Sequence, residues 1–262
     1  MQRRPNDIAA LLEIAKAAAI EAGQSIMKVY DAGELSVDMK PSGSPVTEAD
    51  KISHGIIASR LKTTGLPILS EEGSAVKFET RVLWEYFWMV DPLDGTKEFI
   101  DRNGEFTVNI ALIHHNKPIG GVIHVPYNGI LYYGSENGIF KSENGRLNQF
   151  FALNERIKFS DVLRKERLTI LVSRSHQSPE TASFISQFKN AAIVSRGSSL
   201  KFMMLLENLA DIYPRLGTTM EWDTAAAHAI LNASNRGVYQ LDLKTELTYN
   251  KCDLSNPFFI SF

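Results

Sequence analysis

The feature that most constrains the fold is the apolar stretch Leu83 to Val90, which runs without a break into Asp91-Pro92-Leu93-Asp94-Gly95-Thr96. Eight residues rich in aromatic and branched side chains read as a strand buried on both faces. Pro92 and Gly95 are expected to force a tight turn at its end. Asp91 and Asp94 then leave a rigid element side by side, with the Leu93 carbonyl between them. Hard oxygen ligands in that arrangement suit Mg²⁺. A polar turn is the plainer reading of such a run taken alone.

Two further acidic groups accompany it. Pro67-Ile68-Leu69-Ser70-Glu71-Glu72-Gly73 is a short apolar strand entering paired glutamates. Glu221-Trp222-Asp223-Thr224-Ala225-Ala226-Ala227-His228 sets an aspartate at the mouth of an alanine-rich helix. Separately, the glutamates read as a solvated turn and Asp223 as an N-cap. Brought together with Asp91 and Asp94, they form a set of carboxylates that repel one another and need cations to stay ionised.

The order E-E, D-P-L-D-G-T, W-D-x-A, together with Val46-Thr47-Glu48-Ala49-Asp50, closely resembles the inositol monophosphatase superfamily of Mg²⁺-dependent, lithium-sensitive phosphatases. Gly95 to Ile100, Val172-Ser173-Arg174-Ser175-His176 and Gly197-Ser198-Ser199-Leu200-Lys201-Phe202 narrow the likeness to the CysQ-type 3′(2′),5′-bisphosphate nucleotidases. The likeness spans nearly the whole chain. Two stretches depart from it: Ala227 stands where many relatives have glycine, and Asn232 to Gly237 replaces a common Glu-Ala-Gly-Gly.

The resemblance implies an α+β / α/β fold, a five-layer αβαβα sandwich with the active site between two halves. Sequence patterning places those halves at 1–155 and 156–262. In the first, residues 7–30 have helical spacing with one apolar face, and Thr47 with Asp50 opens a second helix through an acidic variant of the capping box. Closely spaced alternating segments from Phe106 to Lys141 read as an antiparallel meander. Asn144 to Arg167, polar and basic, reads as the crossover. Strands at 168–173, 192–195 and 210–214 then alternate with helices at 179–188, 199–209 and 224–231, as in an α/β half.

The resemblance also implies the site. Glu71, Asp91 and the Leu93 carbonyl hold one Mg²⁺; Asp91, Asp94 and Asp223 hold a second, with a third supported by Asp50. Asp50 and Thr96 position or deprotonate the attacking water, with Glu71 also counted among the catalytic residues. Gly95, Thr96, His176, Ser198, Lys201, Arg215 and Asp223 meet the substrate. The implied reaction is hydrolysis of the 3′-phosphate of adenosine 3′,5′-bisphosphate to AMP and phosphate by metal-activated water. The corresponding phosphosulfate is a further substrate, and the setting is sulfate assimilation. Rival readings are an inositol monophosphatase or fructose 1,6-bisphosphatase of the same superfamily, and a non-catalytic nucleotide-binding protein. None of the six histidines has a triad spacing. His54 and His228 read as ordinary helix residues, His54 as an exposed one, and His114, His115 and His124 as chemically idle.

Composition enters mainly by exclusion. A net charge of −2 offers no attraction for a nucleic-acid polymer or an anionic membrane. No segment has the apolar length of a bilayer span, and Arg3-Arg4 precede no secretory signal core. Cys252, the single cysteine, cannot form an intrachain disulfide, which suits a reducing cytoplasm. A cytoplasmic location, or a peripheral one at the inner membrane, and a homodimer are compatible with these readings.

Overall fold

The computed structural model describes residues 7–33, 37–40, 45–175 and 178–262. In chain order the elements are α1 (Ile8–Ala32), β1 (Val37–Met39), β2 (Pro45–Thr47), α2 (Glu48–Lys62), β3 (Ile68–Ser70), α3 (Phe78–Arg81), β4 (Tyr86–Asp94), α4 (Thr96–Ile100), β5 (Thr107–His114), β6 (Lys117–Val125), β7 (Ile130–Ser135), β8 (Gly138–Glu143) and β9 (Arg146–Phe150). After β9 come α5 (Phe159–Val162), β10 (Thr169–Ser173), α6 (Pro179–Ser186), β11 (Ala192–Arg196), α7 (Leu200–Leu206), β12 (Tyr213–Arg215), α8 (Glu221–Ala233), β13 (Val238–Gln240) and β14 (Phe259–Ser261).

Strands β3 to β9 form one sheet in sequence order, parallel only at β3–β4. Period-two alternation divides β4 between two cores. Trp88 and Val90 pack with α1 and α2, while Phe87 and Met89 pack with α7 and α8. The second sheet runs β11-β10 and β12-β14-β13, joined where Leu171 N donates to Ile212 O at 2.8 Å. Its Leu171, Tyr213 and Phe259 meet α7 and α8 from the other side, and Ile170, Ile212 and Ile260 pack with α5 and α6. Five layers follow: α1/α2, sheet, α7/α8, sheet, α5/α6. This is the αβαβα sandwich expected of the sequence.

Helix α8 lies very close to the first sheet. A Cβ on Gly121 of β6 would stand 2.1 Å from the Ala226 carbonyl oxygen, so only glycine permits the contact. That approach sets the helix that begins with Glu221, Trp222 and Asp223 against the sheet whose strand β4 carries Asp91 and Asp94.

Several boundaries differ from the sequence reading. The central strand begins at Tyr86, leaving Leu83 81% exposed. It does not turn at Pro92: pairing with β5 continues to Asp94↔Thr107 through a register shift after Asp91↔Asn109. A bulge therefore does what a turn was expected to do, re-aiming the two aspartates without ending the strand. Within the stretch read as crossover, Arg146 to Phe150 pairs with β8 as an exposed edge strand. Its Arg-Leu-Asn-Gln run has no buried face and so no alternation to read.

Candidate active site

Asp91 and Asp94 flank the β4 bulge. The alternation that points Phe87 and Met89 at α8 points Asp91 the same way. Its Oδ1 accepts from Leu93 N at 3.1 Å. Ser53 Oγ on α2 donates to Pro92 O at 2.7 Å, tying the bulge to the helix behind it. Glu71 follows β3, where Glu71 N donates to Val90 O at 3.1 Å. Asp223 is the third residue of α8, not its N-cap: Met220 precedes the helix, and Asp223 Oδ2 accepts from Met220 N at 2.9 Å.

These local arrangements bring Glu71, Asp91 and Asp223 together, one oxygen of each within 4.8 Å of the others. Asp91 is 1% exposed. Burial first, then repulsion from Glu71 and Asp94, holds the Asp91 carboxyl well above the usual range. Burial and then repulsion from Asp94 and Glu71 do the same to Asp223. Asp94 is raised by burial but relieved by Lys201, Ser199 and Asn109. Four crowded acids of this kind are stable as anions only with positive charge among them. Lys40 supplies one such charge: its Nζ is 2.7 Å from Glu71 Oε1 and also bonds Glu72. An all-oxygen donor set with the Leu93 carbonyl alongside fits a hard divalent cation.

Asp50 sits at the start of α2, 2% exposed. Its Oδ2 accepts from Thr47 N at 2.7 Å and Thr47 Oγ1 at 2.6 Å, completing the capping box. Its Oδ1 accepts from Thr96 Oγ1 at 3.1 Å. Burial raises the Asp50 carboxyl despite these donors. Gly95, at φ 93°, turns the chain from β4 into α4 in a conformation that glycine tolerates.

One cleft of about 620 Å³ is lined by Glu71, Asp91, Leu93, Asp94, Gly95, Thr96, Ser198, Lys201, Arg215 and Asp223. Every sequence-nominated site residue lines it except Asp50, which lies behind Thr96, and His176, which lies outside the described residues. Lys201 Nζ is buried and donates to Ser198 O at 2.7 Å; burial lowers it to about 8. Arg215 Nη2 donates to Thr218 O at 2.8 Å. Ser198 holds a left-handed φ of 43°, and its buried hydroxyl has no hydrogen-bond partner among the described residues. Acids and positive side chains therefore line the same cleft, with Lys201 beside Asp94 and Arg215 beside Asp223, an arrangement suited to a phosphorylated anion held against cations.

Two polar residues escaped the sequence reading. Ser199 Oγ lies 3.0 Å from Asp94 Oδ2 and 3.1 Å from Asp223 O, and Asn109 Nδ2 lies 3.2 Å from Asp94 Oδ2 and 2.8 Å from Ser199 Oγ. The available signal was a lone amide within the apolar run Val108-Asn109-Ile110. One histidine reading needs correction, and a second is filled in. His54 is half-buried, its Nδ1 2.9 Å from Ser70 Oγ. His228 is fully buried, with Nδ1 2.9 Å from Tyr249 OH.

A family model, the inositol monophosphatase family, matches residues 7–256. The 3′(2′),5′-bisphosphate nucleotidase CysQ of Salmonella typhimurium is 42% identical over 227 residues, covering 86% of this chain and 88% of its own. The crystal structure of CysQ from Bacteroides thetaiotaomicron aligns at 39% identity with a TM-score of 0.82, covering 97% of each chain. The extragenic suppressor protein suhB of Bartonella henselae shares the fold at 23% identity, with a TM-score of 0.74 over 97% of this chain and 93% of that one. The chain belongs to the inositol monophosphatase family.

Proposed function

We propose that this family member is a divalent-metal-dependent 3′(2′),5′-bisphosphate nucleotidase that hydrolyses the 3′-phosphate of adenosine 3′,5′-bisphosphate to AMP and phosphate. The observation that carries the reading is the buried, mutually repelling set Glu71, Asp91, Asp94 and Asp223 lining one cleft together with Lys201 and Arg215. The CysQ relatives, at 42% identity over most of the chain, support the nucleotide as substrate.

Glu71, Asp91 and the Leu93 carbonyl would hold one Mg²⁺, and Asp91, Asp94 and Asp223 a second, with Asp50 beside a third. Bound there, the ions neutralise charge on the phosphoryl oxygens and ease the ionisation of water. The chain's own residues do the positioning. Thr96, its hydroxyl held by Asp50 Oδ1, orients the attacking water. Burial raises the Asp50 carboxyl, which makes it the stronger base, and Thr47 fixes its other oxygen. Ser198, Lys201 and Arg215, with Gly95 and His176, take the nucleotide and its second phosphate. The corresponding phosphosulfate fits the same recognition. The biological role is removal of an inhibitory by-product of sulfate assimilation, and lithium is the expected inhibitor.

The test is phosphate release from adenosine 3′,5′-bisphosphate with and without Mg²⁺, with chromatography of the nucleotide product. AMP should accumulate only with the ion. Asp94→Asn should cut turnover on the order of 10³-fold or more, since a lost ligand removes several kcal/mol of charge stabilisation. Full activity in Asp94→Asn, or in excess chelator, would refute the reading.

A further inference from the structure

We propose that Glu85, His114 and His115 form a second metal site, for a borderline divalent transition ion of the Zn²⁺ class, separate from the cleft. In a regular strand, neighbours such as His114 and His115 face opposite sides. Here His115 adopts a left-handed φ of 54° as β5 ends, which turns its ring back beside His114. The ring centroids lie 4.4 Å apart. Glu85, just before β4, completes the group: its Oε1 is 3.9 Å from His114 Nε2, and one ligand atom from each residue lies within 4.8 Å of the others.

The mount is rigid. His115 N donates to Glu85 O at 2.7 Å, Tyr249 N donates to Asn116 O at 3.1 Å, and Tyr86 stacks on the His114 ring at 4.3 Å. A left-handed histidine is retained only where its surroundings hold it. Two imidazoles and a carboxylate are a nitrogen-rich set that suits Zn²⁺ and leaves a fourth position open; Mg²⁺ prefers the all-oxygen cleft. The two sites lie at opposite ends of β5. Seven residue steps lead from Thr107, paired with Asp94, to His114, roughly 23 Å at strand rise.

The experiment is imidazole NMR of the full chain, held in saturating Mg²⁺ and titrated with ZnCl₂, with affinity read by competition against a chromophoric chelator. At one equivalent, the His114 and His115 rings should shift together while the other four histidines stay put. His115→Asn keeps a residue that tolerates the left-handed turn. It should weaken Zn²⁺ binding at least tenfold and leave Mg²⁺-dependent phosphate release unchanged. Glu85→Gln, which leaves the turn intact, should weaken binding severalfold. Unshifted rings, first shifts at His54 or His176, or equal affinity in both variants would overturn the proposal.

Discussion

Asp50 uses its two oxygens for two purposes: Oδ2 caps α2 through Thr47, and Oδ1 holds the Thr96 hydroxyl. A helix start is a rigid place from which to aim a carboxylate, so capping and chemistry coexist. Thr96→Val removes the hydroxyl and keeps the shape. It should lower kcat on the order of 10²-fold with little change in KM or melting temperature, measured by steady-state kinetics and thermal denaturation. Asp94 depends similarly on its neighbours. Ser199→Ala removes one of two donors to its Oδ2. The Mg²⁺ concentration for half-maximal activity should rise about 10–100-fold, since partners that orient a ligand are worth that much in metal affinity. Asp91, Asp94 and Asp223 were legible because acids next to apolar runs and turn residues are conspicuous. Ser199 and Lys40 were not, because only the tertiary fold brings Ser199 to Asp94 and Lys40 to Glu71.

Among the elements, α8 links packing to function. Its approach to β6 at Gly121 leaves no room for a methyl group, and the obstacle is backbone. Gly121→Ala should destabilise the protein by about 1–3 kcal/mol by overpacking and weaken Mg²⁺ binding as well, because the displaced helix carries Asp223. Gly55 makes a contrast: it lies within α2 with open space around a new Cβ. Gly55→Ala should stabilise by roughly 0.5–1 kcal/mol. Urea denaturation of both variants tests the pair. Element types were readable wherever burial imposed a period, as in α1, α2 and β4 to β8. Edge strand β9 lacked one, and the β4 bulge keeps two aspartates in pairing where Pro92 and Gly95 signal a turn.

At the scale of the whole molecule, the buried charges make stability depend on pH and on ions together. His124 is buried against α1, with Nδ1 3.1 Å from Ala19 O, and burial lowers it to about 4. Its folded pKa lies below the unfolded value of about 6.5, so the unfolded chain binds the extra proton between them. Stability is full above pH 6.5 and falls by roughly 3 kcal/mol as pH drops toward 4, a loss that His124→Asn should reduce. Asp91, Asp94, Asp223 and Glu71 act in the opposite sense, because burial raises them. Without ions, their contribution is least favourable at neutral pH and improves as they protonate. Mg²⁺ should therefore raise the melting temperature more at pH 7.5 than at pH 5, and chelation should reverse the gain. Among the described residues, no helix is long and apolar enough to cross a membrane.

The most direct measurement is phosphate release with Mg²⁺ from adenosine 3′,5′-bisphosphate, inositol 1-phosphate and fructose 1,6-bisphosphate at equal concentration. The proposed nucleotidase activity predicts a strong preference for the nucleotide. Equal or faster release from either sugar phosphate would contradict it, and tight nucleotide binding without release would leave a binding protein in place of an enzyme.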